Sequence, residues 1–352
     1  MVEEVKDKQA LAVRSKGETR VSKVNELLDS ICVGLMSKHG KESVFPLKGY
    51  RSDKVPVVRT DLANLDYILG CGGIPFGRII EIYGPDGVGK TSLVLEIIKR
   101  YQEQYENAVS FFIDAEHALD LNYASSIGVD LNSVLISQPD NGEEGFQLAM
   151  DFVNLLPAGG NAIVVIDSVT GLMPKSIVDG EVDEANIGAH ARLMSNGLKH
   201  LSPLLSSKSV SVIFTNQLRL ALNLSGYGVS KMVPTGGNAL KFYASMRLEL
   251  SEAGLEIVDG VVKGKKVKVK VVKNKLAPPF REAVIYLEFG KGYDKIYSLV
   301  DFAIAKNVII QSGSWFNYQD KIHVQGRGSV IQMIEQDNNL FKSIYNSCME
   351  VR

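Results

Sequence analysis

An apolar run, Arg78-Ile79-Ile80-Glu81-Ile82-Tyr83, breaks into the octapeptide Gly84-Pro85-Asp86-Gly87-Val88-Gly89-Lys90-Thr91 and resumes at once as the helical run Ser92-Leu93-Val94-Leu95-Glu96-Ile97. The octapeptide matches G-x-x-x-x-G-K-S/T in full, and it stands between a strand and a helix, the context that gives this pattern its meaning. A strand that feeds a helix through so short a loop belongs to a parallel sheet, because the helix must cross back over the sheet. Three further runs read as strands: Val109 to Ile113, Ala162 to Ile166 and Val210 to Phe214. The run Ala162-Ile163-Val164-Val165-Ile166 is unbroken in its apolarity, as expected of a strand buried on both faces. Strands alternating with helical segments from about Val55 to Leu287 predict a doubly wound α/β core.

The loop also dictates chemistry. Its glycines let successive backbone N–H groups turn inward to phosphate oxygens, while the next helix offers the positive end of its dipole. Gly84 to Thr91 with Ser92 are therefore expected to hold ATP, Lys90 reaching the β- and γ-phosphates and the Thr91 hydroxyl ligating Mg²⁺. The metal needs a carboxylate partner, and Ile163-Val164-Val165-Ile166-Asp167-Ser168 places Asp167 at the end of an apolar strand; a helix cap is the plain alternative. Hydrolysis needs a group to activate water. Glu116, in Ile113-Asp114-Ala115-Glu116-His117, follows another strand, and ligands bind at the carboxyl ends of such strands. A fourth strand ends in Phe214-Thr215-Asn216-Gln217, where the Gln217 amide is placed to sense the γ-phosphate.

Composition sets limits. Charged residues make up 22% of the 352 and the net charge is −1, so any DNA-binding surface must be local. Cys32, Cys71 and Cys348 have neither disulfide-framework nor zinc-ligand spacing, which points to a reducing cytosol. No apolar run approaches the roughly 20 residues of a membrane helix, and no membrane partner is expected. Val21, Val24, Leu27, Leu28, Ile31 and Leu35 form one stripe of a helix predicted over Glu18 to Met36; its stripe covers either the chain's own core or a neighbouring subunit. Lys266, Lys268 and Lys270 alternate with Val267, Val269 and Val271 in a strand with one positive, wet face. Three regions follow: 1–52, an N-terminal helix and linker; 53–296, the ATPase core; and 297–352, a small C-terminal α+β domain.

Taken in order, GRIIEIYGPDGVGKTSL, FFIDAEHALD, IVVIDSV, TNQLR, PTGGNALKFYAS and KVKVVKNKLAPPF resemble the bacterial RecA recombinase family, with the likeness running from about Leu65 to Trp315. The resemblance implies a cytoplasmic, nucleoid-associated, DNA-dependent ATPase that forms a helical homo-oligomeric filament on single-stranded DNA, pairs it with homologous duplex and acts in DNA repair and the damage response. It makes Glu116 the catalytic glutamate and Gln217 the link from the γ-phosphate to a DNA-binding loop. Asp120 and Tyr123 fall at adenine contacts, and Lys273 and Lys275 at lysines that reach a neighbour's ATP. The N-terminal helix falls at the element that packs on the adjacent protomer. It also implies two DNA loops, about 174–189 and 219–235. Around them Ile187 wedges between bases, Arg192, Ser195 and Lys199 contact the backbone from one helix face, and Arg219, Tyr227, Gly236 and Gly237 complete the set. Apart from the resemblance, Arg192, Ser195 and Lys199 read as an exposed helix face. Departures from the family pattern are Lys199 where Arg is common, Asp86 where Glu is common, Tyr227 where Phe is common, and a C-terminus without an acidic tail, which predicts weaker self-inhibition of duplex binding. The alternatives are a hexameric ring motor on DNA and a DNA-bound filament regulator that triggers self-cleavage of a repressor.

Overall fold

The computed structural model describes residues 23–40, 44–46, 55–180, 188–206, 208–220, 232–258 and 260–350. It divides into two units, residues 1–54 and 55–352. In the first, helix α1 covers residues 23–39. The part of the predicted helix before residue 23, with Val21, lies outside the described residues. The C-terminal end runs past the expected Met36, because nothing after it forbids helix until Gly40, which takes φ 105° and returns its N–H to Met36 O at 2.9 Å. Leu27, Leu28 and Ile31 on the apolar stripe are each at least half exposed.

The second unit opens with β1 (Val57–Val58), α2 (Ala63–Leu69) and β2 (Ile74–Pro75). The alternation follows: β3 (Ile79–Gly84), α3 (Lys90–Gln104), β4 (Val109–Asp114), α4 (Leu121–Ile127), β5 (Val134–Ser137), α5 (Gly142–Leu155) and β6 (Asn161–Asp167). After α6 (Lys175–Val178) and α7 (Ala189–Ser206) come β7 (Ser209–Leu220), β8 (Met232–Pro234), α8 (Ala239–Tyr243), β9 (Met246–Val258), β10 (Val261–Asn274), β11 (Glu282–Glu288) and β12 (Gly292–Tyr293). The last part holds α9 (Lys295–Ala305), β13 (Ile310–Ser312), β14 (Trp315–Tyr318), β15 (Ile322–Gln325), α10 (Arg327–Gln336) and α11 (Asn338–Glu350).

The central sheet runs β12-β11-β10-β9-β3-β7-β6-β4-β5. From β9 to β5 the pairs are parallel; from β9 to β12 they are antiparallel, as the short connections there allow. Alternation along the strands sorts the core into two layers. Ile80, Ile82, Ile163 and Val165 face α3 and α4, where they meet Leu93, Ile97 and Ile127. Ile79, Ala162, Val164 and Ile166 face α5 and α7, where they meet Phe146, Leu198 and Leu201. Each such large side chain, fully buried, contributes about 1.5–3 kcal/mol. With helices on both faces the α/β expectation holds. A third cluster, with Leu299, Phe316 and Ile344, gathers α9, α10 and α11 against the three-stranded sheet β13-β14-β15, the small C-terminal α+β domain. At the far edge of the central sheet, β5 leaves Leu135 and Ile136 exposed.

Candidate active site

The carboxyl ends of β3, β4, β6 and β7 converge on a cavity of about 510 Å³, a size that suits a small-molecule ligand. Gly84 ends β3 so close to the backbone of β9 that a Cβ there would stand 2.4 Å from Leu250 O. Gly89, at φ 105°, carries the chain into α3, and a Cβ there would meet the Tyr293 hydroxyl at 2.6 Å. The loop therefore has its shape only with glycine at these two places. Lys90, the first residue of α3, is buried and turns its ammonium back to Pro85 O (2.8 Å) and Gly84 O (3.2 Å). Burial holds its pKa below the usual lysine range; the charge of Lys265 pushes the same way, and Asp86, Asp167 and Glu116 push back.

Asp167 ends β6 and is gripped from two sides. Thr91 Oγ1 donates to its Oδ2 at 2.6 Å, and Thr215 Oγ1, on β7, donates to Oδ1 at 2.5 Å. Burial raises its pKa, and the two hydroxyls oppose that shift. Thr91 and Asp167 thus present hard oxygen donors side by side, a set that suits Mg²⁺ bound together with a nucleotide. Among the described residues no group of three or more His, Cys, Asp or Glu side chains could hold a metal by itself. Glu116 stands just beyond β4, where its Oε1 accepts from the Ser168 hydroxyl and, at 3.0 Å, from Gln217 Nε2. The structure thus brings Lys90, Thr91, Glu116, Tyr123, Asp167 and Gln217 to one cavity. Tyr123 bonds Ser92 through their hydroxyls at 2.7 Å. Asp120 is not part of the cavity wall: it caps α4, accepting from Asn122 N and Tyr123 N, and so fixes the turn that carries Tyr123.

Other expected residues lie elsewhere. Lys273 and Lys275 are outside their own chain's cavity, donating to carbonyls at the end of α8: Lys273 Nζ to Lys241 O (2.5 Å) and Phe242 O (3.0 Å), Lys275 Nζ to Phe242 O (3.5 Å). Burial and the neighbouring Lys275 lower the pKa of Lys273. The face of α7 opposite buried Leu193, Met194 and Leu198 carries Arg192, Ser195 and Lys199, all exposed. Arg219 is exposed near the end of β7. Gly236 and Gly237 follow β8 in the left-handed region. The helix they precede, α8, is only five residues long, and Asn238 gives it no side-chain cap. Ile187 and Tyr227 lie outside the described residues, with residues 181–187 of the first expected DNA loop and most of the second.

Several contributors were not visible as motifs. Glu81, buried in the middle of β3, accepts from Asn216 Nδ2 at 2.9 Å and pairs with Arg247 on β9. Asn216 in turn accepts from Gln217 N (2.9 Å) and Thr235 Oγ1 (2.6 Å), so the middle of β7 and the chain after β8 share one buried polar group. A glutamate inside an otherwise apolar strand was the signal, since a buried charge needs partners. Lys265 and Phe289 in the cavity wall, and Ser168 and Thr215, which bond its carboxylates, gave no such signal.

The RecA N-terminal domain family matches residues 27–294 and the RecA C-terminal domain family residues 297–351. Relatives named Protein RecA include that of Helicobacter acinonychis (strain Sheeba), 41% identical over 305 residues covering 87% of this chain and 86% of the relative. That of Campylobacter hominis is 43% identical over 304 residues (86% and 85%), and that of Thermus thermophilus 42% over 325 residues (92% and 93%). Matched over nearly its whole length in this way, the chain belongs to the RecA family.

Proposed function

We propose that this chain is a DNA-dependent ATPase of homologous recombination and repair. In this reading it binds ATP, polymerises as a helical filament on single-stranded DNA and pairs that strand with homologous duplex. Membership of the RecA family supports it, and one observation of the site carries it further: Glu116 and Gln217 share a hydrogen bond at the cavity wall. Gln217 lies on β7, which pairs with β8 from the next residue on, and the segment expected to meet DNA runs between the two strands. A group that activates water is thus tied to the strand that leads to the DNA loop. Such a tie is what makes hydrolysis respond to DNA.

The roles follow from placement. The loop Gly84 to Thr91, with Lys90, cradles the phosphates; Thr91 and Asp167 would hold Mg²⁺, which when bound neutralises phosphate charge. Glu116 accepts the proton of the attacking water, and Gln217 reports the γ-phosphate. Tyr123 lies against the base. Lys273 and Lys275 serve the ATP of the next protomer, since their own cavity is elsewhere. Arg192, Ser195, Lys199 and Arg219, with Gly236 and Gly237, contact DNA phosphates, which gives binding without sequence preference; Ile187 and Tyr227 act on the bases. The proposed divisions are 1–52 for the arm, 53–296 for the core and 297–352 for the C-terminal domain. Among the described residues no helix is long and apolar enough to cross a membrane.

The test is uptake of a labelled single-stranded oligonucleotide into supercoiled duplex with a slowly hydrolysed ATP analogue. Joint molecules that need both homology and nucleotide are expected. DNA-stimulated hydrolysis without joints would favour a ring motor, or a filament whose task is repressor cleavage.

A further inference from the structure

Strand β10 begins its buried row with a lysine. Val267, Val269 and Val271 are fully buried on the inward face, and Lys265, two residues earlier in the same alternation, is buried with them at 8% exposure. The outward neighbours are different. Lys266, Lys268 and Lys270 stay more than a third exposed and pair with Glu256 and Glu282, as surface cations do at little energetic consequence. The ammonium of Lys265 instead reaches the cavity, where Nζ donates to the carbonyl of Gly87, at the turn of the glycine loop.

Burying an ammonium against a carbonyl rather than a carboxylate is unfavourable unless something else is gained. Two gains are visible. In a loop whose N–H groups turn inward, the carbonyls turn out; a cation on the Gly87 carbonyl pins that peptide plane and keeps its inward face fixed. Lys265 also places a second positive charge in the cavity that holds Lys90, and the two ammonium groups repel. The carboxylates nearby are engaged elsewhere. Asp167 accepts from Thr91 and Thr215, and Glu116 from Ser168 and Gln217. Asp86, the third, is exposed on the loop. A polyanion between the lysines would relieve their repulsion.

We propose that Lys265 is a second phosphate-binding lysine of the nucleotide site, bracing the loop at Gly87 and adding its charge to that of Lys90 on a nucleoside polyphosphate. The proposal rests on the nucleotide reading above and deepens it. A cation that acts on phosphate charge contributes more as the phosphate chain lengthens, whereas a brace alone does not distinguish one nucleotide from another.

The experiment uses the full chain without DNA and measures equilibrium affinity for AMP, ADP and ATPγS at low and high salt. Lys265→Gln is the informative variant, because its amide still donates to the Gly87 carbonyl but carries no charge. We expect Lys265→Gln to weaken ATPγS binding about tenfold, the equivalent of one charge-assisted contact. The loss should be smaller for ADP and least for AMP, shrink at high salt, and be largely restored in Lys265→Arg. An equal loss for all three nucleotides, or none, would overturn the proposal and leave Lys265 as a brace. If Lys265→Gln does not fold, Lys265→Met answers instead: a loss graded across the three nucleotides upholds the charge role, and an equal loss, or none, in a folded protein removes it. Failure of the underlying reading looks different, since wild-type protein and Lys90→Ala would then bind ATPγS equally.

Discussion

At the scale of single residues, the cavity separates holding from reacting. Lys90, Thr91 and Asp167 are buried or nearly so and bound to one another or to the loop, whereas Glu116 is exposed and held by two donors at one oxygen. A carboxylate so placed can accept a proton while Ser168 and Gln217 fix its direction. Glu116→Gln should therefore keep nucleotide affinity within a few-fold and lower hydrolysis by roughly 10²–10⁴, the usual share of a general base. Phosphate release alongside ATPγS titration checks this, and near-normal turnover would assign the base elsewhere. These residues were legible in the sequence because strand ends announce themselves: an apolar run stops and a carboxylate follows. Ser168 and Thr215 were not, since a hydroxyl beside a strand end carries no pattern until folding sets it against its partner, 52 or 48 residues away.

At the scale of elements, β10 shows what alternation can and cannot tell. Its period of two gave a wet face and a dry one, and both are present. The wet face reads as a positive stripe in sequence, yet Glu256 from β9 and Glu282 from β11 answer it with carboxylates on both sides. Those partners come from strands paired in space, and only the register reveals them. Near the end of β10, Lys273 and Lys275 rest on carbonyls of α8. A cation resting on neutral acceptors outside its own cavity is available to the phosphates of a second molecule. Lys273→Ala should thus lower DNA-stimulated hydrolysis at least about tenfold, as loss of a cation supplied in trans does, while each monomer keeps its melting temperature. Turnover equal to wild type would remove the trans role. The buried contact of Glu81 with Asn216 and Arg247 was half legible: the glutamate stood out, but its partners lie 135 and 166 residues further along the chain.

At the scale of the whole molecule, one of the ties between the C-terminal part and the core is a buried acid. Asp66 on α2 is fully buried, and it accepts from Thr60 and, at 2.8 Å, from the hydroxyl of Tyr345 on α11. Burial pushes its pKa up to about 7, against the pull of the Thr60 and Tyr345 bonds. Between about pH 4 and pH 7 the folded chain keeps this proton and the unfolded chain releases it, so this group makes stability fall as pH rises through that window and then level off. Asp66→Asn removes the titration. Its stability should decline less steeply over the same window, by up to about 1.4 kcal/mol per pH unit, and identical slopes for the two proteins in pH-dependent denaturant melts would refute this. The central sheet has a further consequence at this scale, through the edge where β5 ends it. Among the described residues that strand pairs on one side only, with β4, and it leaves Leu135 and Ile136 exposed. Such an edge accepts a strand from any chain that comes near it, whether or not the docking is orderly. Aggregation through this edge is expected to rise with protein concentration even while the molecules stay folded, and the four-residue length of β5 limits it.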